Sequence, residues 1–293
     1  MPDLKRIGVL AHPKKPETAP VAESIADSLQ ARGIDVWVYT RWEEGDVIGQ
    51  VRSADMVVAI GGDGAMLRAA RVCAFYSVPV LGVNMGKLGF LTEIDSPDTW
   101  DDCLDLLLRG DYWIESRMMI HAAVLRAGVV INEGDALNEV VVNQGVVVRT
   151  IRLQTNIDGE WATTYNADGL VIATATGSTA YALALGGPIL PPELHNILIV
   201  PKAPHLSLNT PIVLSEGATV EVVPSSDIPV EMALLVDGTV LCDLLPGDHI
   251  RVQASEHVSR FVRLRERNYF YRSLLDRLEP KIPVRSEPER KQL

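Results

Sequence analysis

The chain has 293 residues, a formal net charge of −11 and 22% charged side chains. That length fits two ordinary domains with cores of their own. The acidic balance argues against a non-specific nucleic-acid or anionic-membrane surface, since both need clustered Lys and Arg, but leaves open a phosphate ligand, which is held by local backbone N–H groups and a few cations.

The first third alternates strand and helix. Ile7 to Leu10 is a short apolar run, and Pro16 to Arg32 carries Val21, Ile25 and Leu29 at helical spacing before Gly33. Val36 to Tyr39, Met56 to Ile60 and Val78 to Val83 read as further strands, and Ala65 to Ala74 as a helix. Ser96 and Pro97 open another helix with Ser as N-cap and Pro at N1; Trp100, Leu104, Leu107 and Leu108 are its expected buried face. Such alternation predicts a parallel, doubly wound sheet over residues 1–112. From 113 to 262 β-rich runs follow one another (Ile114 to Leu125, Val140 to Val148, Ile151 to Ile157, Leu170 to Thr174 and onward), with hairpin turns at Asp158-Gly159 and Asp237-Gly238. This predicts an all-β, sandwich-like second domain with one helical interruption near Thr179. Phe270, Leu274 and Leu278 place a last helix within 263–279, and the charged, Pro-rich 280–293 reads as a disordered tail. Cys73, Cys103 and Cys242 are far apart and read as buried thiols; the six histidines suggest no metal-ligand pair. With no signal pattern and no apolar run of ~20 residues, the expected compartment is the cytoplasm, with no membrane association.

Chemistry is suggested first by Gly61-Gly62-Asp63-Gly64, between a strand and a helix. The glycines let backbone N–H groups approach a phosphate, so Gly61, Gly62 and Gly64 read as a phosphate-binding loop. A carboxylate repels phosphate, so Asp63 needs a reason: a proton acceptor, a metal ligand, or a helix N-cap with no chemistry. Arg68, one turn on, would meet a phosphate or lie on a solvated face. A second glycine-rich loop, Gly82 to Thr92, follows a strand and should line the same edge, with Phe90 able to pack on a base or in the core. Asn138-Glu139 could bracket a ribose or simply begin a strand. Asn166 and Asp168, then Thr174, Thr176, Ser178 and Thr179, set many small polar groups before a helix, either a ligand pocket or a helix capped by Thr176 or Ser178. A hairpin turn accounts for Asp237 to Thr239.

In this order the segments resemble the NAD kinase family over roughly residues 5 to 278. Gly-Gly-Asp-Gly alone is weak, since phosphofructokinases and diacylglycerol and sphingosine kinases carry similar signatures. Asn138-Glu139 and Asp168-Gly169, followed by Thr176-Gly177-Ser178-Thr179-Ala180-Tyr181, are far more specific. The resemblance implies transfer of a phosphoryl group from ATP or polyphosphate to the 2′-hydroxyl of the adenosine ribose of NAD, a divalent ion such as Mg²⁺ with ligands unknown, a homo-oligomer, and a last helix that returns to the N-terminal domain. It makes Asp63 the catalytic base and Gly64 a backbone contact, and puts Arg68 near phosphate. Asn138 and Glu139 hold ribose hydroxyls, Asp168 the nicotinamide end, and Thr179, Ala180, Tyr181, Ala182, Leu183 and Ala184 line the dinucleotide pocket. Arg149, Asn166 and Thr239 match ligand-contacting positions of relatives. Ala65, Ala175 and Thr210 stand where the family more often has Thr, Pro and Arg, which bears on loop rigidity and donor preference. Two other readings compete: a lipid or sphingoid kinase, and a non-catalytic NAD(H) sensor.

Overall fold

The computed structural model describes residues 4–86, 89–145, 150–225, 230–271 and 274. The N-terminal part comprises β1 (Arg6–Leu10), α1 (Ala19–Ala31), β2 (Asp35–Tyr39), α2 (Glu44–Val51), β3 (Met56–Gly61), α3 (Asp63–Ala74), β4 (Val80–Asn84) and α4 (Trp100–Arg109). The four strands are parallel in the order β2-β1-β3-β4. Ile7, Val9, Val58 and Leu81 face α1 and α4 on one side, while Leu10, Val57, Ala59 and Val80 face α2 and α3 on the other. Both faces are covered, which is why β3 reads as an unbroken apolar run. Ser96 caps as expected, accepting the Asp98 N–H at 3.3 Å, but it opens a short 3₁₀ turn ahead of α4. The pattern does not reveal α2, which buries only Val47 and Val51; a reciprocal cap between Glu43 and Asp46 starts it.

Twelve strands follow among the described residues: β5 (Trp113–Arg126), β6 (Val129–Ala136), β7 (Glu139–Gln144), β8 (Ile151–Ile157), β9 (Glu160–Ala167), β10 (Gly169–Thr174), β11 (Asn196–Lys202), β12 (Ile212–Ser215), β13 (Val220–Ser225), β14 (Met232–Val236), β15 (Thr239–Leu244) and β16 (His249–Arg263). One sheet runs β12-β11-β10-β7-β14-β15. The other, with β5, β6, β8, β9, β13 and β16, packs against it through Ile120, Leu153, Tyr165 and Val252 on one side and Val142, Ile172, Ile199 and Leu234 on the other. It is also continuous with the parallel sheet, because β16 pairs along its length with β5, at its start with β13, and at Phe261 with Val80 of β4. The helix expected near Thr179 is a 3₁₀ turn, Thr176–Thr179, and the four-residue α5 (Tyr181–Ala184). The chain is helical again from 269.

One expectation is corrected. Cys103 and Cys242 are half-buried, and only Cys73 is buried, because the first two lie at the margins of their cores. Two of the six histidines share one carboxylate: a bulge in β16 turns His257 towards β6, so that His121 Nδ1 and His257 Nδ1 each lie 2.8 Å from an oxygen of buried Asp135. This cluster lines a cavity of about 720 Å³ at the C-terminal end of α3. Among the described residues no group of three or more His, Cys, Asp or Glu is arranged to hold a metal ion, and no helix is long and apolar enough to cross a membrane.

Candidate active site

Strand β3 ends at Gly61, and Asp63 is the first residue of α3. A carboxylate there is favoured by the helix dipole. Its oxygens are already engaged: Oδ2 accepts the Phe90 N–H at 2.8 Å and Oδ1 the Leu91 N–H at 2.9 Å. A Cβ at Gly89 would overlap this carboxylate, so only glycine lets the second loop come so close. The two glycine-rich loops therefore meet, as their positions after neighbouring strands predict, and Asp63 joins them. Gly64 is exposed and Gly62 half-buried at the rim.

Across from this loop, Leu137, Asn138 and Glu139 are organised by Asp237, which reads in the sequence as a hairpin-turn residue. Asp237 opens the β14–β15 turn with φ 46°, followed by Gly238 at φ 76°. Its carboxylate accepts N–H groups from Leu137 (2.9 Å), Asn138 (2.8 Å) and Glu139 (3.2 Å), and its own N–H donates to Glu139 O at 2.9 Å. Burial pushes its carboxyl up, against those backbone donors and Arg71. Glu139 is buried, and its Oε2 has no hydrogen-bond partner among the described residues. Burial, reinforced by neighbouring Asp237 and opposed by the Tyr181 N–H, raises its carboxyl to about 7.

The polar run after β10 packs directly on this segment. Thr174 Oγ1 donates to Leu137 O at 2.6 Å and accepts the Gly177 N–H at 3.1 Å, and Thr174 N–H donates to Asn138 O at 2.9 Å. A Cβ on Gly177 would collide with Asn138 O. Ser178 Oγ donates to Ala175 O at 2.6 Å and accepts the Leu190 N–H at 2.9 Å. The hydroxyls of Thr174 and Ser178 thus hold the turn together, and neither Thr176 nor Ser178 acts as an N-cap. Thr176 and Thr179 instead line a crevice with Phe90, Arg117, Pro192 and Phe270. Ala180, Tyr181 and Leu183 are half-buried, Ala184 is exposed, and Ala182 is fully buried against the β7-β10-β11 face.

Lys14, Gly64, Arg68 and Arg71 face Asp237 and Thr239 across a cleft of about 520 Å³. Arg68 stacks 4.5 Å from the Trp42 ring and donates to Glu43 at 2.7 Å. Arg71 pairs with Glu44. Asn166 and Asp168 stand apart. Glu139 pairs with Ala173 and Asn143 with Gly169, so Asp168 lies roughly 15 Å along the sheet from Glu139. Asn166 O accepts the His205 N–H at 2.7 Å. Arg149 lies outside the described residues.

An open parallel sheet with a glycine-lined strand end, closed over by a β-sandwich carrying paired polar segments, defines a nucleotide-site protein of two-domain α/β and β build. Residues 7–112 match the family model of the ATP-NAD kinase N-terminal domain and residues 137–264 that of the ATP-NAD kinase C-terminal domain. The chain is 38% identical to the NAD kinase of Geotalea daltonii, covering 91% of this chain and 96% of that one, and 40% identical to the NAD kinase of Chloroflexus aggregans, covering 94% and 99%. Its fold is similar to that of yeast NADH kinase complexed with NADH (TM-score 0.83, 22% identity, 97% and 90% of the two chains). It is also similar to an NAD kinase from Archaeoglobus fulgidus in complex with ATP (TM-score 0.73, 24% identity, 93% and 98%). The chain belongs to the ATP-NAD kinase family.

Proposed function

We propose that the chain phosphorylates NAD on the 2′-hydroxyl of its adenosine ribose, with ATP or polyphosphate as donor and NADP as product. The observation that carries this reading is that, within one family framework, Gly64 of the Asp63 loop faces Asp237, which holds the Asn138–Glu139 segment, across one cleft. Phosphoryl transfer asks for positioning and charge neutralisation. Asp63 takes the hydroxyl proton, the ribose oxygen attacks the terminal phosphorus, and the bond to the departing ADP oxygen breaks. Asn138 and Glu139 hold the ribose hydroxyls; a carboxyl near 7 can donate as well as accept at neutral pH. Phe90 with Thr179 to Ala184 bounds the dinucleotide, and Gly61, Gly62 and Gly64 with Arg71 meet phosphate. Arg68 joins them by exchanging Glu43 for the anion. Thr239 at the cleft rim and Asn166 and Asp168 at the far end of β10 complete the contacts.

A divalent ion, Mg²⁺ by preference, fits the residues present. Magnesium is commonly held by one or two carboxylates together with substrate phosphates, and the buried, unpartnered Glu139 Oε2 is a hard oxygen donor at the site. When bound, the ion neutralises the phosphate chain of the donor. Sparse cysteine use supports the cytoplasm as compartment. We also propose a homo-oligomer, because a second copy is a route by which Asp168 can reach a site built around Asp63.

The test is to incubate the protein with ATP, Mg²⁺ and NAD and to measure NADP, with polyphosphate replacing ATP in a parallel arm. NADP is expected. Measurable NAD binding without NADP from either donor would point to a sensor, and turnover of a lipid acceptor alone to a lipid kinase.

A further inference from the structure

The most heavily buried charge among the described residues lies outside the cleft. Arg263, at the end of β16, is fully inaccessible to solvent. Its Nε donates to Glu115 at 2.8 Å, and its Nη1 donates to both Glu93 and the carbonyl of Leu91 at 3.1 Å. Glu115 is buried as well. Burial pushes its carboxyl up, but Arg117 and Arg263 outweigh that and hold it below the usual carboxylate range. Its other partners are Arg117, whose Nε donates to Oε2 at 3.0 Å, and the Tyr269 hydroxyl, which donates to Oε1 at 2.9 Å and accepts from Arg117 Nη2 at 2.8 Å. Burying such a network costs several kcal/mol per ion unless its geometry is well satisfied, so it is a poor device for stability alone. What sets it apart is where it ends. Leu91 gives its carbonyl to Arg263 and its N–H to Asp63 Oδ1. One residue past Tyr269, Phe270 is buried, with its ring 6.4 Å from that of Phe90, the other donor to Asp63.

We infer that Tyr269, acting through Glu115 and Arg263, is a positioning residue for Asp63. The segment that begins at 269 fixes the Phe90–Leu91 peptide, and that peptide fixes the carboxylate. This rests on the proposed role of Asp63 in phosphoryl transfer. Pre-organised donors matter most when they cannot relax as charge moves. A loop free to shift by an ångström would keep its substrate contacts elsewhere in the cleft and lose rate.

The experiment compares wild type with Tyr269→Phe, which removes the hydroxyl and keeps the ring. The expected result is a fall in kcat of about tenfold or more with KM for NAD within about twofold, and faster amide hydrogen exchange at residues 89–95 with α3 unchanged. Unchanged kcat and unchanged exchange at 89–95, even with a lower Tm, would overturn the inference, as would a rise in KM alone. If Tyr269→Phe fails to fold, the test passes to Arg263→Lys, which keeps the charge and loses the fork, with the same two readouts. Should wild type make no NADP, the proposed function fails; exchange at 89–95 still reads the link from Tyr269 to Leu91.

Discussion

At the scale of single residues, two carboxyls divide the work. Asp63 is exposed enough to meet a substrate and is held by two N–H groups, so Asp63→Asn keeps one acceptor and most of the local packing. Turnover should fall by ~10²–10⁴-fold with NAD affinity nearly preserved, as seen by single-turnover kinetics alongside titration calorimetry. Glu139 is the opposite case. From an ordinary 4.5 its carboxyl is raised to about 7, burial being the main cause, so between those values the folded chain retains a proton that the unfolded chain releases. Its contribution to stability is complete below pH 4.5 and is lost as pH rises through 7, on the order of 3 kcal/mol if undiminished by its coupling to Asp237. Tm of the ligand-free protein should therefore decline across this window, and Glu139→Gln should flatten the decline. Asp237 is also raised and acts in the same direction, so some slope survives in the variant; identical slopes in the two proteins would contradict the assignment.

At the scale of elements, the loop from 89 to 91 shows why a glycine can matter to chemistry more than to folding. Gly89 has no side chain, and the space a Cβ would take is occupied by the Asp63 carboxylate. Gly89→Ala must displace either the loop or the acid; kcat is expected to drop ~10–100-fold while the thermal midpoint moves little, a separation that activity assays paired with calorimetry can read. The same loop marks the limit of what was legible in the sequence. β3, the glycine turn and α3 were readable because a buried parallel strand is a continuous apolar run and the helix keeps its apolar period. β6 and β15 were not, because each lies at a sheet edge and β6 is mostly exposed, which removes the alternation that marks a half-buried strand. The grip of Asp63 on Phe90 and Leu91, and that of Asp237 on the Asn138 segment, are contacts between residues far apart in the chain, with no local periodicity to announce them. Asp237 in particular sits where an Asp-Gly hairpin turn is expected on conformational grounds alone, so its second role was hidden by a sufficient first one. Asn138 and Glu139 stood out through family resemblance more than through any property of their own.

At the scale of the whole molecule, β16 makes one sheet of two, joining β4 of the parallel layer to β5 and β13 of the sandwich. The arrangement brings the Asn138 wall to the mouth of the Asp63 loop, since Leu137 packs in one core with Met66 of α3 and Leu91. It also fixes the other end of the β7–β10 pair, with Asn166 and Asp168, well away from the same mouth. A single chain therefore presents the acid and the proposed nicotinamide contact at separate places, and a symmetric pair of chains can bring them together. If each site takes Asp63 from one copy and Asp168 from another, Asp63→Asn and Asp168→Asn chains are each impaired alone but complement when co-assembled. In a mixed dimer one of the two sites then carries both substitutions and the other carries neither. With equal amounts and random pairing, half of the dimers are mixed, so about a quarter of all sites regain both carboxylates. Co-expression of the two variants, followed by an NADP assay on the purified assembly, should recover that fraction of wild-type kcat; a mixture no better than the average of its two parents would place both residues of each working site on one chain.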